Sequence, residues 1–177
     1  MPLNEQLIIS TIEIAKEAGE AISQIYNSDF DYQIKKDLSP ITAADRLSHK
    51  IITERLKILT PEIPILSEEN CNIPFKVRSQ WADYWLIDPL DGTKEFIKKT
   101  GQFTVNIALI ESGEPTLGVV LAPASDLEYF ASQGNGAFKR LGQAEPEKIH
   151  VREIAKDKLR IVASRDHAGP KVDAMQE

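Results

Sequence analysis

The sequence predicts an α+β fold in which two amino-terminal helices pack on an antiparallel sheet. Apolar residues recur every three or four positions through residues 3–27 and again through residues 42–59, which is typical of helices with one buried face. Between residues 84 and 140 the pattern changes to short runs rich in β-branched and aromatic residues. Turns that contain glycine separate these runs, so the strands are expected to form an antiparallel meander.

The limits of both helices can be placed from their end signals. The first helix, residues 3–27, is expected to bury Leu7, Ile8, Ile12, Ala15, Ala18, Ile22 and Ile25. Residues 28–40 are polar and predict a loop or a short edge hairpin. Thr42 is expected to cap the second helix, with Asp45 three residues later as the partner in a variant capping box. The second helix is expected to end by residues 60–61 and to bury Leu47, Ile51, Ile52, Leu56 and Leu59.

The strands are predicted from short apolar runs. They cover residues 64–66, 84–87, 103–110, 115–121, 127–131, 136–140 and 159–163. The first of them ends directly before Ser67, Glu68 and Glu69, and one helical turn is expected near residues 78–82. Because the composition turns polar near residue 145, we predict one domain over residues 1–150 and the start of a second over residues 151–177.

Charge and composition restrict the classes of function. The formal net charge is −6 at pH 7, which argues against a nucleic-acid partner, since such a surface needs to be basic. Cys71 is the single cysteine, so no internal disulfide is expected, and a small packing residue is favoured over a catalytic thiol beside Glu68 and Glu69. The sequence contains no apolar run long enough to cross a bilayer, and we expect a cytoplasmic protein.

The stretch from Trp85 to Phe96, WLIDPLDGTKEF, is the strongest candidate for a functional site. It predicts a strand that delivers Asp88, a turn fixed by proline that brings Asp91 to the same point, and a short helix capped by Thr93. Carboxylates and the free amides of a helix start suit a magnesium ion bridged to a phosphate. An ordinary surface turn is the alternative, because Asp, Pro and Gly are common turn residues.

Acidic residues follow other predicted elements as well. Asp45 lies in the first turn of the second helix, and Glu68 follows a strand. Gathering several carboxylates is costly unless cations neutralise them. Oxygen ligands without nearby histidine or cysteine select magnesium or manganese over zinc. The sequence therefore predicts a hard-cation site built from three separate segments.

The runs SPITAAD, LSEE, DPLDGTKEF, FTVNIALI and GVVLAP together resemble the inositol-monophosphatase superfamily, and in this order they cover almost the whole chain. The resemblance implies the layered α+β fold of the sugar phosphatases and a magnesium-dependent phosphomonoesterase with two or three ions. Inositol monophosphatases usually carry Thr-Asn at the positions of Lys94 and Glu95. The Lys-Glu pair of this sequence resembles the bisphosphate-nucleotidase branch instead. That branch implies hydrolysis of 3′-phosphoadenosine 5′-phosphate to AMP and phosphate. An inositol-1-phosphate or sugar phosphatase is the alternative enzyme.

The resemblance also implies a role for each site residue. Glu68, Asp88, Asp91 and the carbonyl of Leu90 are expected to hold the metal ions. The expected catalytic residues are Asp45, Thr93 and Glu68, with Asp45 and Thr93 forming the dyad that orients and activates water. The expected substrate-binding residues are Glu68, Leu90, Asp91, Gly92 and Thr93, with Gly92 and Thr93 offering amides to the phosphate.

The family carries a further carboxylate in a Trp-Asp-x-Ala-Ala-Gly motif, and this sequence contains no such motif. We therefore expect a chain truncated after its amino-terminal domain, and an inactive metal-binding remnant is the alternative to an enzyme. The expected partner is a small phosphorylated nucleotide. A homodimer is a further possibility, and the resemblance alone suggests a peripheral position at the inner face of a membrane.

Overall fold

A computed structural model describes residues 3–34, 40–70 and 72–152. Cys71, the predicted strand at residues 159–163 and nearly all of the predicted second domain lie outside the described residues. Within them the elements alternate between helices and strands, and most strands join one large sheet. The predicted α+β fold is therefore confirmed.

The helices begin and end close to their predicted limits. Helix α1 covers Leu3–Tyr26 and α2 covers Ala43–Leu59. The capping box of Thr42 and Asp45 is present at the start of α2. Two shorter helices follow, α3 at Phe75–Arg78 and α4 at Thr93–Ile97.

The strands form two sheets. Strands β1, Tyr32–Ile34, and β2, Pro40–Thr42, pair antiparallel as a small sheet of their own, which agrees with the hairpin of the two alternatives predicted before α2. The larger sheet runs in chain order from β3 to β9. Its members are β3 (Ile65–Ser67), β4 (Asp83–Asp91), β5 (Thr104–Glu111), β6 (Glu114–Ala122), β7 (Leu127–Ser132), β8 (Gly136–Leu141) and β9 (Glu147–Ile149). Among the described residues, only β3 and β4 pair in parallel, and the other pairs of this sheet are antiparallel.

The core lies between the two long helices and one face of this sheet. Its fully buried side chains include Ile22, Ile52, Leu56, Trp85 and Phe96. The opposite face is open in the described structure, because Leu86 and Val120 are 43% and 41% exposed. A groove of about 510 Å³ crosses this open face and reaches Glu68 and Asp88 at one end.

Four features of local structure differ from the predictions here, and a fifth lies at the start of α4, in the candidate site. The helical turn expected at residues 78–82 lies earlier, because Pro74 precedes α3 with a φ of −56° that suits a helix start. Leu47 is 39% exposed, since the buried stripe of α2 follows Ala44, Ser48, Ile52 and Leu56 instead. Strand β9 was not predicted, because it is short and mostly polar. The fourth concerns the expected turn at Asp88–Asp91, which belongs to β4.

Candidate metal and phosphate site

Glu68 and Asp88 are brought together by the only parallel pair of strands in the described sheet. Ser67 at the end of β3 pairs with Ile87 of β4, so the next residue of each strand emerges at the same edge. The amide of Glu68 donates a hydrogen bond to the carbonyl of Ile87 at 3.1 Å. The two acidic side chains therefore start from adjacent backbone positions.

A β-bulge in β4 brings Asp91 to the same face as Asp88. Asp88 pairs with Asn106 and Asp91 with Thr104, so three steps along β4 match two along β5. Side chains three residues apart in a regular strand lie on opposite faces of the sheet. The extra residue in the bulge returns the later side chain to the face of the earlier one. Asn106, opposite Asp88, accordingly donates a hydrogen bond from Nδ2 to Asp91 Oδ2 at 3.4 Å. The segment predicted as a proline turn is therefore a bulge. Pro89 is tolerated there because the ladder of backbone hydrogen bonds is already interrupted.

The electrostatics of this edge show how closely the acidic groups are gathered. Burial, and after it the charges of Glu68 and Asp91 and a side-chain hydrogen bond with Glu68, together raise the pKa of Asp88 to about 7. The amide of Leu90, which donates to Asp88 Oδ1 at 3.2 Å, opposes this increase. Without a cation, therefore, a substantial fraction of Asp88 is still protonated near neutral pH, because the group is partly buried and its neighbours are acidic.

This raised pKa predicts how the stability of the metal-free chain depends on pH. The folded state binds the Asp88 proton more tightly than the unfolded state does. The stabilisation that this proton gives the folded chain is therefore lost as pH rises from about 4 to about 7. Solvent screening of this partly exposed group reduces the expected loss to about 1–2 kcal/mol between pH 5 and pH 8. Urea unfolding in the presence of a chelator measures it.

The comparison uses two matched variants. Asp88→Asn is expected to remove this part of the pH dependence, so it should stabilise the metal-free chain more at pH 8 than at pH 5. Asp83→Asn, at the other end of β4, removes an exposed carboxylate and is expected to leave the dependence as it is. If Asp88→Asn follows the same pH curve as the parent chain, the proposed crowding of Asp88 is wrong.

Asp45 lies on the other side of the bulge and is fully engaged in hydrogen bonds. It is 1% exposed, and its Oδ2 accepts from the amide and the hydroxyl of Thr42, both at 2.7 Å. Its Oδ1 accepts from the Thr93 hydroxyl at 3.1 Å, and that hydroxyl also lies 3.3 Å from the carbonyl oxygen of Leu90. The structure thus places Asp45 and Thr93 in hydrogen-bond contact, 48 residues apart in sequence.

Gly92, not Thr93, occupies the cap position of α4, so the predicted Thr93 cap was wrong. Gly92 has a φ of 89°, and a Cβ there would lie 2.7 Å from the carbonyl oxygen of Gln102. Only glycine adopts this conformation without strain. Thr93 is instead the first residue of the helix, which leaves its hydroxyl directed at Asp45 rather than at its own helix.

The oxygen-rich donor set at this edge fits a magnesium ion. Glu68, Asp88 and Asp91 repel one another enough to shift the pKa of Asp88, and a cation would relieve that repulsion. Asn106 lies on the same face of the sheet, and its Oδ1 is buried without a hydrogen-bond partner. Among residues 3–34, 40–70 and 72–152, however, no three histidine, cysteine, aspartate or glutamate side chains are already arranged as a metal site. The carboxylates are gathered here, but they are not set in coordination geometry.

Three polar residues beside this site were not predicted from the sequence. Ser48 and His49 hydrogen-bond to the segments that carry the carboxylates, and Asn106 contacts Asp91. Asn106 carried a signal, since it is the one amide in the apolar run of β5. Ser48 and His49 carried little, because polar residues on a helix are usually solvent-facing.

Two helices on a largely antiparallel sheet, with acidic segments meeting beside its parallel strand pair, are the arrangement of the sugar-phosphatase fold. The chain belongs to the inositol monophosphatase family, whose family model matches residues 3–172. This confirms the family that the sequence motifs resemble. No helix in the described part of the chain has both the length and the apolar character needed to span a membrane.

Individual relatives extend the comparison. The chain is 44% identical to the 3′(2′),5′-bisphosphate nucleotidase CysQ of Aggregatibacter actinomycetemcomitans, over 96% of this chain and 63% of the relative. It is 49% identical to CysQ of Salmonella typhimurium, over 88% of this chain and 62% of the relative. The crystal structure of CysQ from Bacteroides thetaiotaomicron has a TM-score of 0.79 and 35% identity, and covers 97% of this chain and 67% of that protein. The chain thus spans less than two thirds of these two curated relatives.

Proposed function

We propose that this chain carries the site of a magnesium-dependent phosphomonoesterase that hydrolyses the 3′-phosphate of 3′-phosphoadenosine 5′-phosphate, giving AMP and phosphate. The observation that carries the proposal is the convergence of Glu68, Asp88 and Asp91 beside the Asp45–Thr93 pair, at a partly buried place where burial and the neighbouring charges raise the pKa of Asp88. The choice of substrate comes from the relatives that are named bisphosphate nucleotidases.

Each site residue has a part in this proposal. Glu68, Asp88, Asp91 and the Leu90 carbonyl would hold the magnesium ions, of which we propose two or three. Bound magnesium would neutralise the substrate phosphate and lower the pKa of the attacking water. The amides of Gly92 and Thr93 would bind phosphate oxygens at the start of α4.

The Asp45–Thr93 pair is proposed to orient and activate water. Asp45 accepts a hydrogen bond from the Thr93 hydroxyl, which leaves the lone pairs of Thr93 Oγ1 free to accept a hydrogen bond from water. Two bonds from Thr42 hold Asp45 in place. The carboxylate is therefore oriented before any substrate is present.

A second candidate is a chain that binds magnesium without turnover. The chain spans 62–63% of the curated relatives, so the activity of those whole proteins is not carried over to it without a test. Binding and catalysis must accordingly be measured separately. A small phosphorylated nucleotide is the proposed partner in both cases. A cytoplasmic location and a homodimer stay predictions.

The test combines calorimetric titration of magnesium with an assay of phosphate release. Release from 3′-phosphoadenosine 5′-phosphate at a kcat/KM at least about tenfold above that for inositol 1-phosphate would support the nucleotidase. The reverse preference would favour an inositol or sugar phosphatase, as the family name allows. Magnesium binding without release from either substrate would favour the second candidate, and absence of magnesium binding would contradict both.

A further inference from the structure

One face of α2 contacts the end of β3, the bulge of β4 and the start of α4. Asp45, Ser48 and His49 stand at positions i, i+3 and i+4, which lie on the same side of a helix. Asp45 contacts Thr93 at the start of α4, as described above. The other two residues contact the strands that deliver the carboxylates.

Ser48 is bonded to the bulge. Its hydroxyl donates to the carbonyl oxygen of Pro89 at 2.7 Å, and Ser48 is 0% exposed. A bulge interrupts the ladder of backbone hydrogen bonds, so a buried carbonyl there needs another donor. Ser48 supplies it to the residue directly after Asp88.

His49 is bonded to the turn that carries Glu68. Its Nδ1 lies 2.8 Å from the hydroxyl of Ser67, which is 2% exposed. That hydroxyl oxygen also accepts from the amide of Glu69 at 3.3 Å, so the serine proton is available to His49. Burial lowers the pKa of His49, which favours the neutral ring whose Nδ1 accepts this proton.

We infer that Ser48 and His49 are positioning residues that fix the Asp88 and Glu68 segments relative to each other. The inference rests on the proposed magnesium site. Attachment of α2 to the sheet does not depend on them, because Ile52 and Leu56 of the same helix are completely buried. Removal of either hydrogen bond should therefore loosen the carboxylate-bearing segment and leave the helix in place.

The test uses four variants of the full 177-residue chain. Ser48→Ala and His49→Leu each remove one hydrogen bond. His49→Asn is the conservative variant, because an asparagine amide can occupy the position of Nδ1 and still bond to Ser67. Ser23→Ala is the matched control, since it removes a serine hydroxyl bonded at 2.8 Å to the carbonyl oxygen of Gly19 within α1, in a cleft that none of the candidate metal ligands lines.

Magnesium affinity is the first readout. Residues that orient metal ligands typically change metal affinity by about 10–100-fold, so Ser48→Ala and His49→Leu are expected to weaken binding by about tenfold or more. Ser23→Ala should change it by less than about twofold, and His49→Asn should restore most of what His49→Leu loses. If both Ser48→Ala and His49→Leu fold and bind magnesium as the parent does, the inference is wrong.

Amide hydrogen exchange in the presence of a chelator is the second readout, and it needs no metal. Faster exchange confined to residues 67–70 in His49→Leu and to residues 88–93 in Ser48→Ala is expected, with neither change in Ser23→Ala. A parent chain that binds no magnesium would contradict the proposed function, and exchange would then decide the positioning role alone. Unchanged or uniformly faster exchange would overturn it.

Discussion

Asp88→Asn is expected to weaken magnesium binding by at least about 30-fold and to abolish phosphate release. Asp88 is the central carboxylate, since the charges of both Glu68 and Asp91 act on it. Residues that only orient metal ligands change metal affinity by about 10–100-fold, so the loss of a ligand charge itself is expected to cost at least about 2 kcal/mol, since every 1.4 kcal/mol is about tenfold in affinity. Calorimetric titration of magnesium at pH 8 measures the effect, because ionised Asp88 predominates there.

The same substitution should not destabilise the metal-free chain. It removes the charge that Glu68 and Asp91 oppose, so the chelated variant is expected to be at least as stable as the parent at pH 8. A variant that binds metal poorly yet unfolds at higher urea cannot be explained by misfolding. Asp83→Asn, on the same strand, should match the parent in both measurements. Retained phosphate release by Asp88→Asn would refute the metal assignment.

Local signals predicted much of this fold. The capping box of Thr42 and Asp45 marks the start of α2 because its two hydrogen bonds involve neighbouring residues only. The Ser112–Gly113 turn marks the β5–β6 hairpin in the same way, since Gly113 has a φ of 85°. Where one short segment determines the geometry, sequence alone was sufficient.

The Asp88–Asp91 segment needed information from another strand. Its composition is that of a turn, yet pairing of Asp91 with Thr104 of β5 keeps it within β4. The close approach of Gln102 likewise decides that Gly92 takes the cap position. Sequence motifs identified the acidic residues, but the neighbouring strand determines which face each one occupies.

The contacts of Ser48 and His49 were beyond sequence reasoning for a related reason. Their partners, Pro89 and Ser67, lie 41 and 18 residues further along the chain. Nothing in the helical pattern of α2 distinguishes a polar residue that faces the sheet from one that faces solvent. Such residues become visible only after the helix has been placed against the strands.

Thr93→Val is expected to lower kcat by about 10²–10⁴-fold, the usual contribution of a positioned acid–base group. Valine keeps the shape of the side chain and removes the hydroxyl that bonds to Asp45. Asp45 retains both bonds from Thr42, so the loss of stability should stay near 1 kcal/mol, about the worth of one hydrogen bond. The assay of phosphate release at saturating magnesium measures the effect.

Thr93→Ser separates the proposed role from simple packing at the start of α4. Serine keeps the hydroxyl and removes only a methyl group, so its kcat should remain within about tenfold of the parent value. Neither variant should change magnesium affinity by more than about threefold, because the carboxylates of Glu68, Asp88 and Asp91 are intact. A Thr93→Val chain that releases phosphate at the parent rate would show that the hydroxyl is not needed. The Asp45–Thr93 hydrogen bond would then serve only to join α2 to α4.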